Sequence, residues 1–155
     1  MRRWLIYIFL LAATPVLGLV LFKGTDIAKL QPVEVVSLSV QKGQVQIQTD
    51  TGNAGTGNTC KQALEDLQNT ASGVVFLDTA DYLTVTEDAQ PYIKEMWEYL
   101  RPSCKICLLI GEGDWESMPA FLRTHEPVAT VLQYRSGERK LPILIIQQGR
   151  MKLVQ

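Results

Sequence analysis

Apolar and polar residues alternate in two segments that follow one another along the chain, VEVVSLSV (33–40) and QVQIQTD (44–50). A period of two predicts β-strands with one buried and one solvated face. Gly43, in the link QKG between them, supplies the positive φ that a tight turn requires. The pattern therefore predicts a β-hairpin.

A glycine-rich segment, TGNAGTGN (51–58), follows the hairpin. Its glycines, Gly52, Gly55 and Gly57, are not followed by the Gly-Lys-Ser/Thr ending that a phosphate-binding loop requires. The preceding strand is also amphipathic, whereas such a loop follows a buried parallel strand. The composition therefore predicts a mobile surface loop.

Apolar residues recur at helical spacing in two longer segments, CKQALEDLQNTA (60–71) and TEDAQPYIKEMWEYL (86–100). Thr59 and Thr86 are suitable N-caps for these helices, and the acidic residues after Thr86 favour the positive end of a helix. The first helix presents one apolar face, formed by Cys60, Ala63, Leu64 and Leu67.

Short continuous apolar runs predict strands of buried composition. These runs are Val74–Leu77, Tyr82–Val85 and Lys105–Ile110. Because the helix at 86–100 separates the last two runs, the order is strand, helix, strand. That order predicts a βαβ unit with parallel strands.

The remaining segments predict two further short helices and a final strand pair. EGDWESMPAFLR (112–123) predicts a helix with Asp114 as its cap, and EPVATVLQYRS (126–136) predicts another. KLPILIIQQGRMKLVQ (140–155) predicts a strand, a turn at Gly149 and the start of a second strand. Together these elements predict an α/β fold, with α+β as the alternative, in which a small mixed sheet packs against two to four helices.

Trp4–Phe22 is a run without a charged residue near the N-terminus. A helix of that length approaches the thickness of a bilayer core. Arg2 and Arg3 should remain cytoplasmic, which predicts a single-pass anchor in the cell membrane and an extracytoplasmic C-terminal domain. A cleaved signal peptide is the main alternative because Pro15 and Gly18 resemble the region before a cleavage site, although its apolar region would normally be shorter. A buried core helix is the third interpretation.

These features divide the chain into three predicted parts. Residues 1–23 are a transmembrane anchor or signal peptide, residues 24–32 a short tether, and residues 33–155 the extracytoplasmic domain. Pro32 ends any helix that begins within the tether.

Composition and charge exclude one class of partner. The chain has 155 residues, 46% hydrophobic content and a mean hydropathy of +0.05, enough for one domain with a packed core. Without Arg2, Arg3 and Lys23, 12 basic residues face 16 acidic ones, a net charge of −4. Nucleic-acid binding requires a basic face, so no nucleic-acid partner is expected.

Asp78 and Asp81, in FLDTADY, are the first candidate for chemistry. Two carboxylates can perform acid–base catalysis if a pocket raises the pKa of one of them. The same residues suit a bend between two strands, where aspartate side chains bond to nearby backbone, and this second interpretation is favoured.

Cys104 and Cys107 form a CxxC motif, which suggests redox or metal chemistry. A redox pair usually lies at the start of a helix, where the thiolate is stabilised. Here the motif falls in a predicted strand, so the two side chains should point to opposite faces. A zinc site would need two more ligands, and only Cys60 and the single histidine, His125, are candidates. Buried, unreactive cysteines are the favoured interpretation.

His125 lies near a predicted helix end, and a solvated or capping role is favoured over general-base chemistry. Trp97 and Trp115 are expected in the core or at an interface. No catalytic residue, cofactor or metal site is therefore predicted.

The segment from Thr59 to Met118 resembles the N-terminal domain of Ger(x)C-type proteins, the C subunits of spore germinant receptors. That domain has a helix rich in ALxxL, a strand on xxFxxH, a second strand, an acidic turn, a helix and a strand of DPxVRxxxxVxxxxG type. The matching segments here are Ala63–Leu67, Val74–Leu77, Tyr82–Val85, Glu87–Asp88, Tyr92–Leu100 and Ser103–Gly111. LPILIIQQGRMKL (141–153) resembles the passage into the second domain of the family, and the likeness covers roughly residues 33 to 150, judged by element order.

The sequence departs from the family in three respects. Family members are lipoproteins, whereas the N-terminal apolar run has no cysteine. The further domains of the family have no counterpart in this sequence. FLDTADY replaces a histidine-containing turn, so Asp78 inherits no role from the family.

The resemblance implies a non-enzymatic accessory protein of a spore-forming, Gram-positive bacterium, which acts with other membrane proteins of a receptor-like complex. The functional prediction is thus a membrane-anchored, extracytoplasmic interaction or assembly domain involved in germination or sporulation. The alternative is a small extracytoplasmic enzyme that uses the thiols of Cys104 and Cys107 or the carboxylates of Asp78 and Asp81.

Overall fold

The computed structural model describes residues 30–112 and 115–155. The predicted anchor at Trp4–Phe22 and the predicted cap Asp114 lie outside these residues. Within them, no helix combines the length and apolar character that a membrane crossing needs. Residues 31–155 form a compact unit of their own.

In the described residues, nine strands form two sheets. The strands are β1 (Leu30–Pro32), β2 (Val35–Gln41), β3 (Gln44–Thr49), β4 (Ala54–Gly57), β5 (Val74–Phe76), β6 (Tyr82–Val85), β7 (Lys105–Ile110), β8 (Ile143–Gln147) and β9 (Arg150–Val154). Seven of them form the main sheet, in the order β4-β3-β2-β6-β7-β8-β9, while β1 and β5 form a separate pair. The four central strands β2, β6, β7 and β8 run parallel, and antiparallel pairings complete both edges. The α/β prediction with a mixed sheet is confirmed.

Four α-helices connect the strands of the described chain. They are α1 (Cys60–Thr70), α2 (Ile93–Met96), α3 (Met118–Thr124) and α4 (Val131–Arg135). Two 3₁₀ helices, Leu77–Thr79 and Glu87–Tyr92, precede β6 and α2.

The predicted hairpin and the first predicted helix are confirmed. β2 pairs antiparallel with β3 through a two-residue turn in which Lys42 and Gly43 have φ of 52° and 79°. Such a turn matches the right-handed twist of the strands it joins. The N-cap prediction also holds, because the Thr59 side chain accepts a hydrogen bond from the backbone N–H of Gln62.

The glycine-rich segment is not a mobile loop, and that prediction is wrong. Residues 54–57 form strand β4, which pairs with β3. The glycines allow α1 to lie against this strand: a Cβ on Gly55 would come within 2.2 Å of the carbonyl oxygen of Ala63. The segment is rich in glycine because a helix backbone lies directly on it, and not because it is a flexible loop.

The second predicted helix is shorter and less regular than its pattern suggested. Residues 87–92 form a 3₁₀ helix that contains Pro91, and only Ile93–Met96 are α-helical. The Thr86 side chain accepts no hydrogen bond from the first backbone N–H groups of the helix, so the predicted N-cap is not formed. It donates instead to Asp88 Oδ1 at 2.6 Å. Proline provides no backbone N–H and so interrupts the α-helical hydrogen bonds. The strands on either side, β6 and β7, are parallel as the βαβ pattern predicted.

The end of the predicted tether belongs to the folded domain. β1 spans Leu30–Pro32 and pairs with β5. Because β5 lies outside the main sheet, only Val75 is buried there, while Val74 and Phe76 remain 40% and 39% exposed. The prediction that Val74–Leu77 is a buried strand holds for the burial of Val75 and Leu77 and is wrong for Val74 and Phe76.

The last part of the chain follows its predicted order. α3 begins at Met118, six residues after the start of the predicted helical segment 112–123. α4 begins with a capping box between Thr130 and Gln133. β8 and β9 form a hairpin that turns at Gly149, whose φ is 72°.

The main sheet is packed on both faces. We call the face that packs against α1, α2 and α4 the first face. Its contacts include Leu67, Met96 and Val131 of these helices. The second face packs against α3 through Met118 and Leu122. Neighbouring strand residues therefore belong to opposite cores.

Candidate functional site

Asp81 lies at the amino end of β6 in an ion pair. Arg101 Nη2 is 2.6 Å from its Oδ1 and also donates hydrogen bonds to the carbonyl oxygens of Thr79 and Ala80. Asp81 lines a cavity of about 260 Å³, and Asp78 lines a different one. The structure therefore does not bring the two aspartates into one pocket. The Asp81 carboxylate accepts from Arg101, and it is Arg101 that bonds to the backbone of the turn.

Sequence reasoning missed two further carboxylates beside Asp81. Glu34 and Asp50 line the same small cavity. Burial raises the pKa of Asp50, partly offset by the backbone N–H of Glu34, which donates to the Asp50 carboxylate at 3.2 and 3.3 Å. Glu34 itself pairs with Arg123 at 2.7 Å. This cavity lies at the amino ends of the parallel strands, whereas ligands of open α/β sheets bind at the carboxyl ends.

The CxxC cysteines point to opposite faces of the sheet, as predicted from their position. Cys104 belongs to the first core and Cys107 to the second, and both are buried with free thiols. Burial raises the pKa of each thiol to about 12. Cys60 is also buried, and burial together with nearby Glu95 raises its pKa to about 12. Thiols in this state are poor nucleophiles at neutral pH.

The described residues contain no group of three or more histidine, cysteine or acidic side chains arranged to hold a metal ion. His125 ends α3, exposed and stacked on Phe121 at 4.4 Å between ring centroids. Trp97 packs partly buried against the first core, beneath the guanidinium of Arg135, and Trp115 packs against the second.

An open groove of about 650 Å³ lies between α1 and β5, and we call it the α1–β5 groove. Its floor is apolar, formed by Leu64, Val75, Phe76, Leu77 and Tyr99. Its rim carries three carboxylates and one ammonium group, from Glu65, Asp78, Glu98 and Lys61. The groove therefore combines an apolar floor with a net acidic rim.

The Gln68 side chain forms hydrogen bonds with the backbone at the edge of β5 inside the α1–β5 groove. Its amide nitrogen donates to the carbonyl oxygen of Val75 at 2.6 Å, and its amide oxygen accepts from the N–H of Val75 at 3.2 Å. The side chain thus occupies the place of a neighbouring strand. It leaves the apolar side chain of Phe76 exposed beside it.

A second cavity, of about 330 Å³, lies at the carboxyl ends of β2, β6 and β7. The chain leaves β6 toward the first face and leaves β7 toward the second. Ligands of open α/β sheets bind outside the carboxyl ends of the strands, and this pocket lies at that end. We call the cavity the carboxyl-end pocket. Its lining includes Ser37, Ser39, Gln46, Gln48, Glu112 and Trp115. Sequence reasoning did not identify this pocket, although the alternation of glutamines along β3 placed them on one face.

Comparison of the chain with protein-family models, with curated proteins and with solved structures finds no significant match.

Proposed function

We propose that this protein is a non-enzymatic interaction domain that Trp4–Phe22 holds at the extracytoplasmic surface of the cell membrane. The observation that carries the proposal is the α1–β5 groove. Val74 and Phe76 expose about two fifths of their surface beside it, at 40% and 39%. Exposed apolar surface rimmed by polar residues is typical of protein-binding sites.

The occupant we propose is a basic, amphipathic segment of another membrane-associated protein. The rim of three carboxylates and one ammonium group complements positive charge. The volume of about 650 Å³ accommodates one or two large apolar side chains above the floor. Apolar anchors would supply affinity, and the rim charges would supply orientation and association rate.

The resemblance to Ger(x)C-type proteins supports an assembly role in germination or sporulation. The resemblance depends on a helix, two strands, a helical segment and a strand, and α1, β5, β6, the segment 87–96 and β7 follow one another along this chain. An accessory subunit of a receptor-like membrane complex is the biological setting we propose.

The enzyme alternative loses support from the positions of its residues. Cys104 and Cys107 lie on opposite faces of the sheet with protonated thiols. Asp78 and Asp81 line separate cavities. Neither pair forms a nucleophile and base that could act on one substrate.

A topology assay tests the membrane arrangement. An epitope tag placed after Gln155 should be digested by protease added to intact, wall-stripped cells, while a cytoplasmic marker protein remains intact. A tag that is protected until the cells are lysed would place the domain in the cytoplasm and refute the proposal.

A binding assay on the full chain in detergent micelles tests the groove. The probe is a fluorescent peptide in which lysines flank a phenylalanine and a leucine, compared with a version that carries glutamate in place of lysine. We expect the basic peptide to bind, and Phe76→Ser to weaken it about tenfold by removing an apolar anchor. Glu98→Lys should weaken it a few-fold, mainly through slower association.

Matched controls lie elsewhere on the surface. Leu132→Ser removes an apolar side chain that is 56% exposed on α4, and Glu138→Lys reverses an exposed charge outside the groove. Both should leave peptide affinity unchanged. Equal effects of Phe76→Ser and Leu132→Ser, or tighter binding of the glutamate peptide, would contradict the proposed occupant.

A further inference from the structure

The carboxyl-end pocket differs in chemistry from the α1–β5 groove. Its side chains are mainly hydroxyls and carboxamides on β2 and β3, and of the described residues that line it only Glu112 ionises. The pocket lies on the second face, beyond the part of that face that α3 covers. Its role is therefore separate from docking in the groove.

The polar side chains form a regular array because of the strand register. Ser37 lies opposite Gln48 and Ser39 opposite Gln46 in the antiparallel β2–β3 pair. Directly opposite side chains are about 5 Å apart, and residues two apart along a strand are about 7 Å apart. One link within the array is weak: Ser39 Oγ donates to Gln46 Oε1 at 3.4 Å. Most donors and acceptors of the array thus remain available to a bound molecule.

Two buried hydroxyls adjoin this array, that of Ser37 within the pocket lining and that of Thr84 outside it. Thr84 pairs in register with Ser37 on one side and with Cys107 on the other. Ser37 is 3% exposed and Thr84 is 0% exposed. Among the described residues, Thr84 Oγ1 has no hydrogen-bond partner. Buried polar atoms without a partner are rare in folded proteins and call for an explanation.

We infer that the carboxyl-end pocket binds an uncharged, hydroxyl-rich small molecule, a saccharide or a cyclic polyol. Hydroxyls and carboxamides each donate and accept hydrogen bonds, as the hydroxyls of such a ligand do. Glu112 adds an acceptor that strengthens a hydrogen bond from a ligand hydroxyl. Trp115 supplies a flat apolar wall against which the C–H face of a sugar ring can pack.

Charge argues against an anionic ligand. No lysine or arginine lines the pocket in the described part of the chain. A phosphate or carboxylate there would face Glu112 without a compensating cation, which costs free energy in a partly desolvated site. A neutral ligand meets no such cost.

Saturation-transfer NMR on the full chain tests this inference, in micelles of a detergent that has no sugar headgroup. The probes are glucose, N-acetylglucosamine and myo-inositol, with inorganic phosphate and ethanolamine as charged comparisons. We expect transfer to ring protons of at least one neutral probe. Titration should show that Gln46→Leu and Gln48→Leu each weaken this binding about fivefold to tenfold through loss of one hydrogen-bonding group.

The matched control is Gln44→Leu, on the same strand but outside the lining. It should leave binding unchanged, and Trp115→Ala should abolish transfer to the C–H face while far-UV circular dichroism stays the same. Absence of transfer to every neutral probe would overturn the inference. So would binding of phosphate or ethanolamine alone, or equal effects of Gln44→Leu and Gln48→Leu. None of these outcomes bears on the groove, which the peptide assay tests separately.

Discussion

Replacement of Gly55 by alanine tests how closely α1 packs against β4. An added Cβ would lie 2.2 Å from the carbonyl oxygen of Ala63, 2.3 Å from the backbone nitrogen of Leu67 and 2.6 Å from its Cβ. Favourable contact begins at about 3.5 Å, so the helix must shift by about 1 Å or more. Because two of the three colliding atoms belong to the main chain, a rotamer change cannot relieve the overlap.

The cost follows from this geometry. Overpacking a core typically costs about 1–3 kcal/mol, and a backbone collision belongs at the upper end. We therefore expect Gly55→Ala to lower the free energy of unfolding by about 3 kcal/mol. For a chain of this size that lowers Tm by roughly 10 °C. Urea and thermal unfolding of the full chain in micelles, followed by circular dichroism, would measure both quantities.

Gly137→Ala is the matched control. Gly137 has a φ of +75° but no atom within 4 Å of an added Cβ. Its replacement should cost only the left-handed backbone penalty, about 1–2 kcal/mol. If Gly55→Ala proved no more destabilising than Gly137→Ala, the close packing of α1 on β4 would be refuted.

The remaining predictions concern the thiols and one ion pair. Burial raises the pKa of Cys104 and Cys107 to about 12. A thiol reagent at about pH 8 should therefore modify these cysteines only after the chain unfolds. Rapid labelling of the folded chain would contradict their burial. In the unfolded chain these thiols have a pKa near 9.0, and below that pH their contribution to the free energy of unfolding is fully present. The contribution is lost as the pH rises from 9.0 toward 12, so the urea midpoint should decrease over that interval. Arg101→Ala should cost about 1 kcal/mol or less, because the side chains of Arg101 and Asp81 are 43% and 58% exposed and water screens their attraction. If urea unfolding showed that Arg101→Ala lowers the free energy of unfolding by several kcal/mol, the ion pair would stabilise the fold more than its exposure indicates.

Much of the local structure was predictable because it depends on residues close together in the chain. The β2–β3 hairpin follows from alternation and from Gly43, whose φ of 79° a glycine adopts without strain. The start of α1 follows from Thr59, whose hydroxyl bonds three residues ahead. The parallel β6–β7 pair follows from two apolar runs with a helical segment between them. The opposite orientations of Cys104 and Cys107 follow from the alternation of a strand.

The candidate sites depended on contacts between residues distant in the sequence. The glycine-rich segment resembles a loop in composition, and only the approach of α1 explains why Gly55 lies in a strand. β5 has the apolar composition of a buried strand, yet it pairs with β1 outside the main sheet and leaves Phe76 exposed in the α1–β5 groove.

The sequence alone established the periods of its strands and helices, the uncharged N-terminal run and the acidic balance of the remainder, since these properties belong to the covalent chain. Tertiary structure decided that Asp78 and Asp81 line separate cavities and that Ser37 and Gln48 share a pocket. Periodicity specifies the face on which a side chain lies. The elements that meet at that face are selected by packing across the whole core, which no short segment encodes.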